Sequence, residues 1–385
     1  MSIQSVVSSA SQTLSADTDT QLTGMTITPG AGKYLCLMSH HCRSDAAHGN
    51  GHKPLLARIK VNGVTVAGSD AQVESDSSCR LNHYCITVCA VVEPAAGQAV
   101  TVDYNNNSGG QNFVSYDRKL MLFPIEGTEY TSASTTTDSF TTTPFSAETI
   151  SAPANGWYLL TAHAYIEGSD YNRMDIEIGG VAQANMQRVY DVETSEVGRA
   201  RMLFTQGAIE ITSNQNVELV VYRDSGTGSE VGERTLMLTP IDSANIFEFE
   251  EDTARATTST SVAQLGVTEV SPGAADDYIA LFSGDAYRGA GGDQDMDFYF
   301  YKDTTQIANT LQTHTYDASI DAVDLPVHNV APIDSLGASE AIEVWWASDA
   351  STEREVGRKN LTAIRYVASS SIAPIAVNHL RMMSQ

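Results

Sequence analysis

An all-β fold of three tandem antiparallel β-sandwich domains, jelly-roll-like in size and strand content, is predicted by three observations. Apolar residues recur mainly at period two over short runs, the spacing that puts alternate side chains on one face of a strand. The runs are rich in Thr, Val, Tyr and Ile and are separated by Gly, Asn, Asp and Ser, which favour turns. Three landmarks also return in the same order roughly 120 residues apart, a period suited to a whole domain rather than a solenoid unit.

The first landmark is Gly32-Lys33-Tyr34-Leu35, echoed by Gly156-Trp157-Tyr158-Leu159 and more loosely by Asp276-Asp277-Tyr278-Ile279. Each follows a small-residue turn with proline: Thr28-Pro29-Gly30, Ala152-Pro153-Ala154 and Ser271-Pro272-Gly273. The second is an alternating segment late in each unit, at 99–104, 217–222 and 342–346. The third is the closing strand, Arg118 to Ile125, Arg234 to Ile241 and the more divergent Lys359 to Tyr366. No long stretch carries helical period with caps, although a short helical turn is expected around Ser335 to Glu340.

A small antiparallel sheet has one apolar face, and a second sheet must cover it. The units so defined are residues 20–126, 144–242 and 261–368, preceded by an N-terminal arm at 1–19 and followed by a tail at 369–385. The linkers run from Glu126 to Thr143 and from Asp242 to Thr260; Asn245 to Glu250 in the second reads either as linker or as a strand added to a sheet.

The charge balance excludes whole classes of function. The 385 residues contain 47 acidic and 22 basic side chains, for a net charge of -25. Such a surface repels nucleic acid and anionic lipid, and it suits salty water, where screening relieves self-repulsion. No apolar run has the length of a membrane span, and the N-terminus has neither the basic start nor the apolar core of a signal peptide. The expectation is synthesis in the cytosol without secretion, which is also how the surface proteins of a virus released by lysis are made.

The residues able to carry chemistry cluster in the first unit. All five cysteines are there, with His40, His41, His48, His52 and His83. Two segments resemble each other: Cys36 to Cys42, containing His40, and Cys79 to Cys85, containing His83. Thiolate and imidazole are zinc ligands, so Cys36, His40, Cys42, Cys79, His83 and Cys85 form a candidate metal set, though neither segment has C-x2-C spacing. The competing reading makes Cys36, Cys85 and Cys89 small core hydrophobes, and it draws support from Cys85, Thr87 and Cys89 sharing one strand face. An odd cysteine count weighs against a full disulfide framework. In the third unit, Asp293, Asp295 and Asp297 after a glycine turn make a calcium candidate, although a solvated strand start is the preferred reading because Phe298, Tyr299 and Phe300 follow at once. Glu230-Val231-Gly232 and Glu355-Val356-Gly357 read as a recurring turn before the closing strand, with a bulge at the glycine. There is no phosphate loop, dinucleotide fingerprint, HExxH or nucleophile elbow, and no cofactor is otherwise implied.

Pro29-Gly30-Ala31-Gly32-Lys33-Tyr34 and Pro153-Ala154-Asn155-Gly156-Trp157-Tyr158 resemble the start of the jelly-roll module of the C1q and tumour-necrosis-factor-like superfamily. Val61-Asn62-Gly63 and Ile178-Gly179-Gly180 resemble the hairpin that follows in it, and the third unit lacks that turn. The resemblance implies trimeric self-association and a place among bacteriophage and viral spikes, fibres and capsid decoration proteins. The expected function is therefore that of a virion structural protein, a decoration, fibre or tail-associated subunit docking on capsid or tail proteins, and not of an enzyme. The rivals are a carbohydrate- or cell-surface-binding protein and, third, a polysaccharide-active enzyme.

Overall fold

The computed structural model describes residues 2–15, 19–44, 53–75, 83–106, 112–168, 170–192, 199–212, 214–224, 228–288, 294–316, 324–349 and 354–367. They form six antiparallel sheets of five strands each, two per unit, stacked as three sandwiches. Among the described residues the sheets stay open and no barrel closes. Among the described residues the only helical segments are single 3-10 turns at Ala184–Met186 and Ser243–Asn245. The helical turn expected around Ser335 to Glu340 is absent: the strand Asp324–Leu336 runs into it, and a turn closes with Glu340 N donating to Gly337 O at 3.1 Å.

In the first unit one sheet runs Gln4–Ser8, Phe113–Pro124, Tyr34–Ser44, His83–Val92, with Gln12–Leu14 also on Phe113–Pro124. The other runs Asp19–Ile27, Val100–Asn106, Lys53–Val61, Val64–Thr65, with Ala71–Ser75 also on Lys53–Val61. The second and third units repeat both orders strand for strand. The segments read as arm and linkers thus supply edge strands. Gln4–Ser8, Tyr130–Ser134 and Ile246–Glu251 pair in equivalent register with the three closing strands.

The landmarks have physical causes. Tyr34, Tyr158 and Tyr278 are buried, and each hydroxyl donates to the carbonyl four residues earlier, Gly30, Ala154 and Ala274, at 3.1, 2.9 and 2.9 Å. That bond fixes the proline turn against the strand it feeds. The basic residue of each closing strand fastens the edge strand of its own unit. Arg118 donates to Ser8 Oγ at 3.1 Å, Arg234 meets Asp138 at 2.5 Å and Glu148 at 3.1 Å, and Lys359 meets Glu251 at 3.0 Å. Asn62 and Gly63, with φ of 49° and 79°, supply the left-handed pair of a two-residue hairpin. The third unit turns at the same place with a two-residue loop in which Asp303, at φ 50°, is the left-handed residue.

The Glu-Val-Gly phrases are not turns before the closing strand. Both lie inside it, in Ser229–Pro240 and Arg354–Arg365, at the register shift against the neighbouring strand. The glycine sits at a bulge within a continuous strand, and the first unit has a matching shift one residue further along, between Tyr116 and Lys119.

Candidate assembly centre on the shared axis

Each sandwich has its own apolar interior, and the first is filled by Tyr34, Cys36, Met38, Ile86, Val88 and Leu120 among others. Strand alternation sends the intervening residues to the opposite face. That face is buried too. Leu35, Leu37, Met121 and Phe123 of the first unit, Leu159, Phe204 and Met237 of the second, and Ile279, Leu281 and Ile364 of the third form a fourth core common to all three. The contacts around it follow one rule. The short strand Ala71–Ser75 lies on Arg199–Ile211 of the second unit, Arg188–Val192 on Asp324–Leu336 of the third, and Gln312–Tyr316 on His83–Val92 of the first. Three equivalent head-to-tail contacts close a ring about an approximate three-fold axis.

One position in each closing strand reaches across this ring. Lys119 Nζ donates to Asn329 Oδ1 of the third unit at 2.9 Å. Thr235 Oγ1 donates to Gly68 O of the first at 2.7 Å, and Asn360 Nδ2 to Gln206 O of the second at 3.0 Å. Gln206 answers by donating to Leu281 O at 3.1 Å and Asn360 O at 3.2 Å. Gly68 has φ 72°, and a Cβ there would come within 2.7 Å of Ala133 Cβ on the second unit, so the close approach requires glycine.

Burial shifts the charges held in the joints. Lys119 is fully buried, and desolvation lowers its pKa to about 7 although Asp117 and Cys85 pull it up. Arg188 is also fully buried and pushed down to about 10; it donates to Ser283 Oγ of the third unit and to Asn185 O at 3.0 Å. His163 lies between Cys89 Sγ, 3.5 Å from Nδ1, and Asp70 O, 3.3 Å from Nε2, both of the first unit; burial holds its pKa at about 4. The half-buried Glu248 moves the other way, to about 8, through desolvation and the neighbouring Glu250, and it accepts from Ala208 N at 2.9 Å across the joint between the second and third units.

The sequence-predicted metal set is split between two faces. Cys36, His40 and Cys42 point into the first sandwich, where His40 Nδ1 is 3.0 Å from Ser115 Oγ and its ring meets Tyr104 edge-on. Cys85 points the other way, into the joint with the third unit, donating to Gln312 Oε1 at 3.2 Å and Thr313 O at 3.1 Å. Burial pushes the Cys36, Cys42, Cys85 and Cys89 thiols up, Cys89 to about 12, and none of these four is in a disulfide. Cys79 and the side chain of His83 lie outside the described residues, as does Asp293. Asp297 accepts from Thr313 Oγ1 at 2.7 Å and Tyr299 OH at 3.2 Å, while Asp295 lies in the same strand, Gln294–Lys302. Among the described residues no group of three or more His, Cys, Asp or Glu could hold a metal ion. The sequence did carry a signal for the axis: Tyr158 to Ala162 and Leu120 to Phe123 are unbroken apolar or small runs where alternation would be expected of a half-exposed strand.

One end of the axis opens into a cavity of about 670 Å³ to which all three units contribute. Its lining includes Phe123, Pro124, Pro240 and Ile241 together with Trp157, which has 38% of its surface exposed. Tyr366 OH donates to Glu126 Oε1 at 3.0 Å, tying the third unit to the first, and Arg365 donates to Asn245 Oδ1 at 2.8 Å. No helix among the described residues is long and apolar enough to cross a membrane.

No protein-family model matches the chain, and no curated protein matches it. Several solved structures are distantly similar. One described as the triple jelly roll fold and turret assembly in an archaeal virus is 9% identical with a TM-score of 0.22, over 92% of this chain and 91% of that one. The PNGF-II structure is 8% identical with a TM-score of 0.29, over 86% and 98%. The CBM22-1-CBM22-2 tandem domain of Paenibacillus barcinonensis Xyn10C is 8% identical with a TM-score of 0.21, over 94% and 91%. Scores this low assign neither family nor activity.

Proposed function

We propose that this chain is a virion structural protein, a capsid decoration, fibre or tail-associated subunit, that acts by docking as a ready-made three-fold unit and catalyses no reaction. The observation that carries the reading is the closed ring: Lys119, Thr235 and Asn360 each cross to a neighbouring unit around one buried core. The trimer that the C1q-like resemblance implies is supplied within a single chain, so the outer sheets and the axis ends are left for partners. A rigid three-fold body with a strongly acidic surface suits display on, or attachment to, a shell of capsid or tail proteins. The chain would be made in the host cytoplasm and reside in the virion. The test is an antibody raised against the purified chain, applied to density-gradient fractions of a lysate of the source culture. The reading expects the chain to sediment with intact particles and to label their surface; a chain found only in the soluble fractions overturns it.

A further inference from the structure

The cavity at the axis end is an unassigned binding site, and we infer that it takes a neutral sugar ring of an oligosaccharide. Position 157 breaks the three-fold repeat. Its equivalents are Lys33, which ion-pairs with Glu93 at 3.1 Å and Glu129 at 2.7 Å, and Asp277, which accepts from Ser335 N at 2.8 Å. Those two are polar and engaged with neighbours, whereas the second unit places an indole there, 38% exposed, in the wall of a cavity. The chain covers its other tryptophans better, with Trp346 at 3%. Leaving a large flat apolar ring in water forgoes burial free energy, so an exposed aromatic in a concavity marks a contact surface.

The groups around the indole narrow the ligand class. An indole face stacks on the C–H face of a sugar ring, and carboxylate and amide groups at its margin hydrogen-bond hydroxyls. Glu126, Asp242, Asn155 and Asn245 provide those groups, and the cavity volume of about 670 Å³ admits one or two sugar rings. Tyr366 on Glu126 and Asn245 on Arg365 hold the margin in place, which lowers the ordering cost of binding. The lining holds two carboxylates, Glu126 and Asp242, against the one guanidinium of Arg365 in a chain of net charge -25, so uronate and sialylated sugars are disfavoured. Because the walls come from all three units, the site exists only in the closed ring.

The experiment titrates the intact chain with neutral trisaccharides of glucose, mannose and galactose and with N-acetylglucosamine oligomers, following tryptophan fluorescence and heat. Sialyllactose and trigalacturonate serve as charged controls. The expected result is saturable binding of at least one neutral sugar with a Kd of about 1 mM or below. Trp157→Ala should weaken it at least tenfold and Trp157→Phe should keep part of it, with unchanged circular dichroism in both. No saturation by any neutral sugar overturns the inference, as does binding that ignores Trp157→Ala or is confined to the charged sugars. The particle-labelling result is independent of each of these outcomes.

Discussion

The strand Asp276–Arg288 has two buried faces of different character. One carries Tyr278, Ala280 and Phe282 into the third sandwich; the other carries Ile279, Leu281, Ser283 and Asp285 towards the neighbouring units. The sandwich interiors are mainly apolar, and the polar groups inside the first, His40 with Ser115 and Asn106 with Leu14 O, pair within their own unit. The shared axis mixes Leu, Ile and Met with Lys119, Arg188, His163, Gln206 and Asn360, all of them fully buried. Apolar burial is non-directional, so it drives each sandwich together without specifying which unit meets which. A buried polar group is costly unless its partner is present, so the joints discriminate between correct and incorrect docking.

The largest expected effect tests whether the second face is a core at all. Leu281→Ala should destabilise by about 2–5 kcal/mol, as much as a residue inside a sandwich, because it leaves a cavity in the axis. Val64→Ala, at a site 70% exposed on an outer sheet, should stay within about 0.5 kcal/mol. Denaturant melts of the two variants give the comparison directly; a Leu281→Ala cost near that of Val64→Ala would mean that the axis is solvent-exposed.

A middle-sized effect separates two joints by pH. His163 has its pKa depressed from the ordinary value near 6.5 to about 4, so its contribution is fully present above pH 6.5 and is lost as pH falls towards 4. Glu248 is raised from near 4.5 to about 8, so stability is fully present below pH 4.5 and declines as pH rises towards 8. The first effect is on the order of 3 kcal/mol for a fully buried ring; the second, on a half-buried carboxyl, is on the order of 1–2 kcal/mol after solvent screening. His163→Gln should flatten the acid side of the stability profile, and Glu248→Gln the neutral side. Melting temperatures across that pH range would show whether the two slopes vanish separately.

The smallest effect concerns the landmark tyrosine. Tyr278→Phe deletes the bond to Ala274 O and keeps the ring, and should cost about 0.5–1.5 kcal/mol, measured by the same melts. A cost of zero would make the repeated Tyr a matter of packing alone.

Much of the sandwich fold was legible because each strand carries its own period and each unit repeats the same landmarks. Tyr34, Tyr158 and Tyr278 mark the start of equivalent strands because each closes the same turn. The shared face of Cys85, Thr87 and Cys89 was also legible, since parity is local. What that face packs against was not. Cys85 meets Gln312 and Thr313 more than two hundred residues away, a contact that no local spacing encodes. The Cys and His residues drew a metal reading from their chemical type, but alternation points Cys36, His40 and Cys42 inward and Cys85 outward. Position 119, 235 or 360 holds Lys, Thr or Asn, three side chains without sequence similarity that share only the reach to cross a joint. The site at Trp157 was visible in the sequence only as an aromatic beside a landmark, and its cavity exists through the docking of all three units.

Small-angle scattering of the purified chain tests the closed ring most directly. Size scaling for one compact body of 385 residues gives a radius of gyration of about 21 Å. Three sandwiches of the same size strung end to end would give about 30 Å. A value near the first, with a single globular maximum in the distance distribution, is the predicted result; a value near the second, with a long tail of distances, would contradict the shared axis and everything built on it.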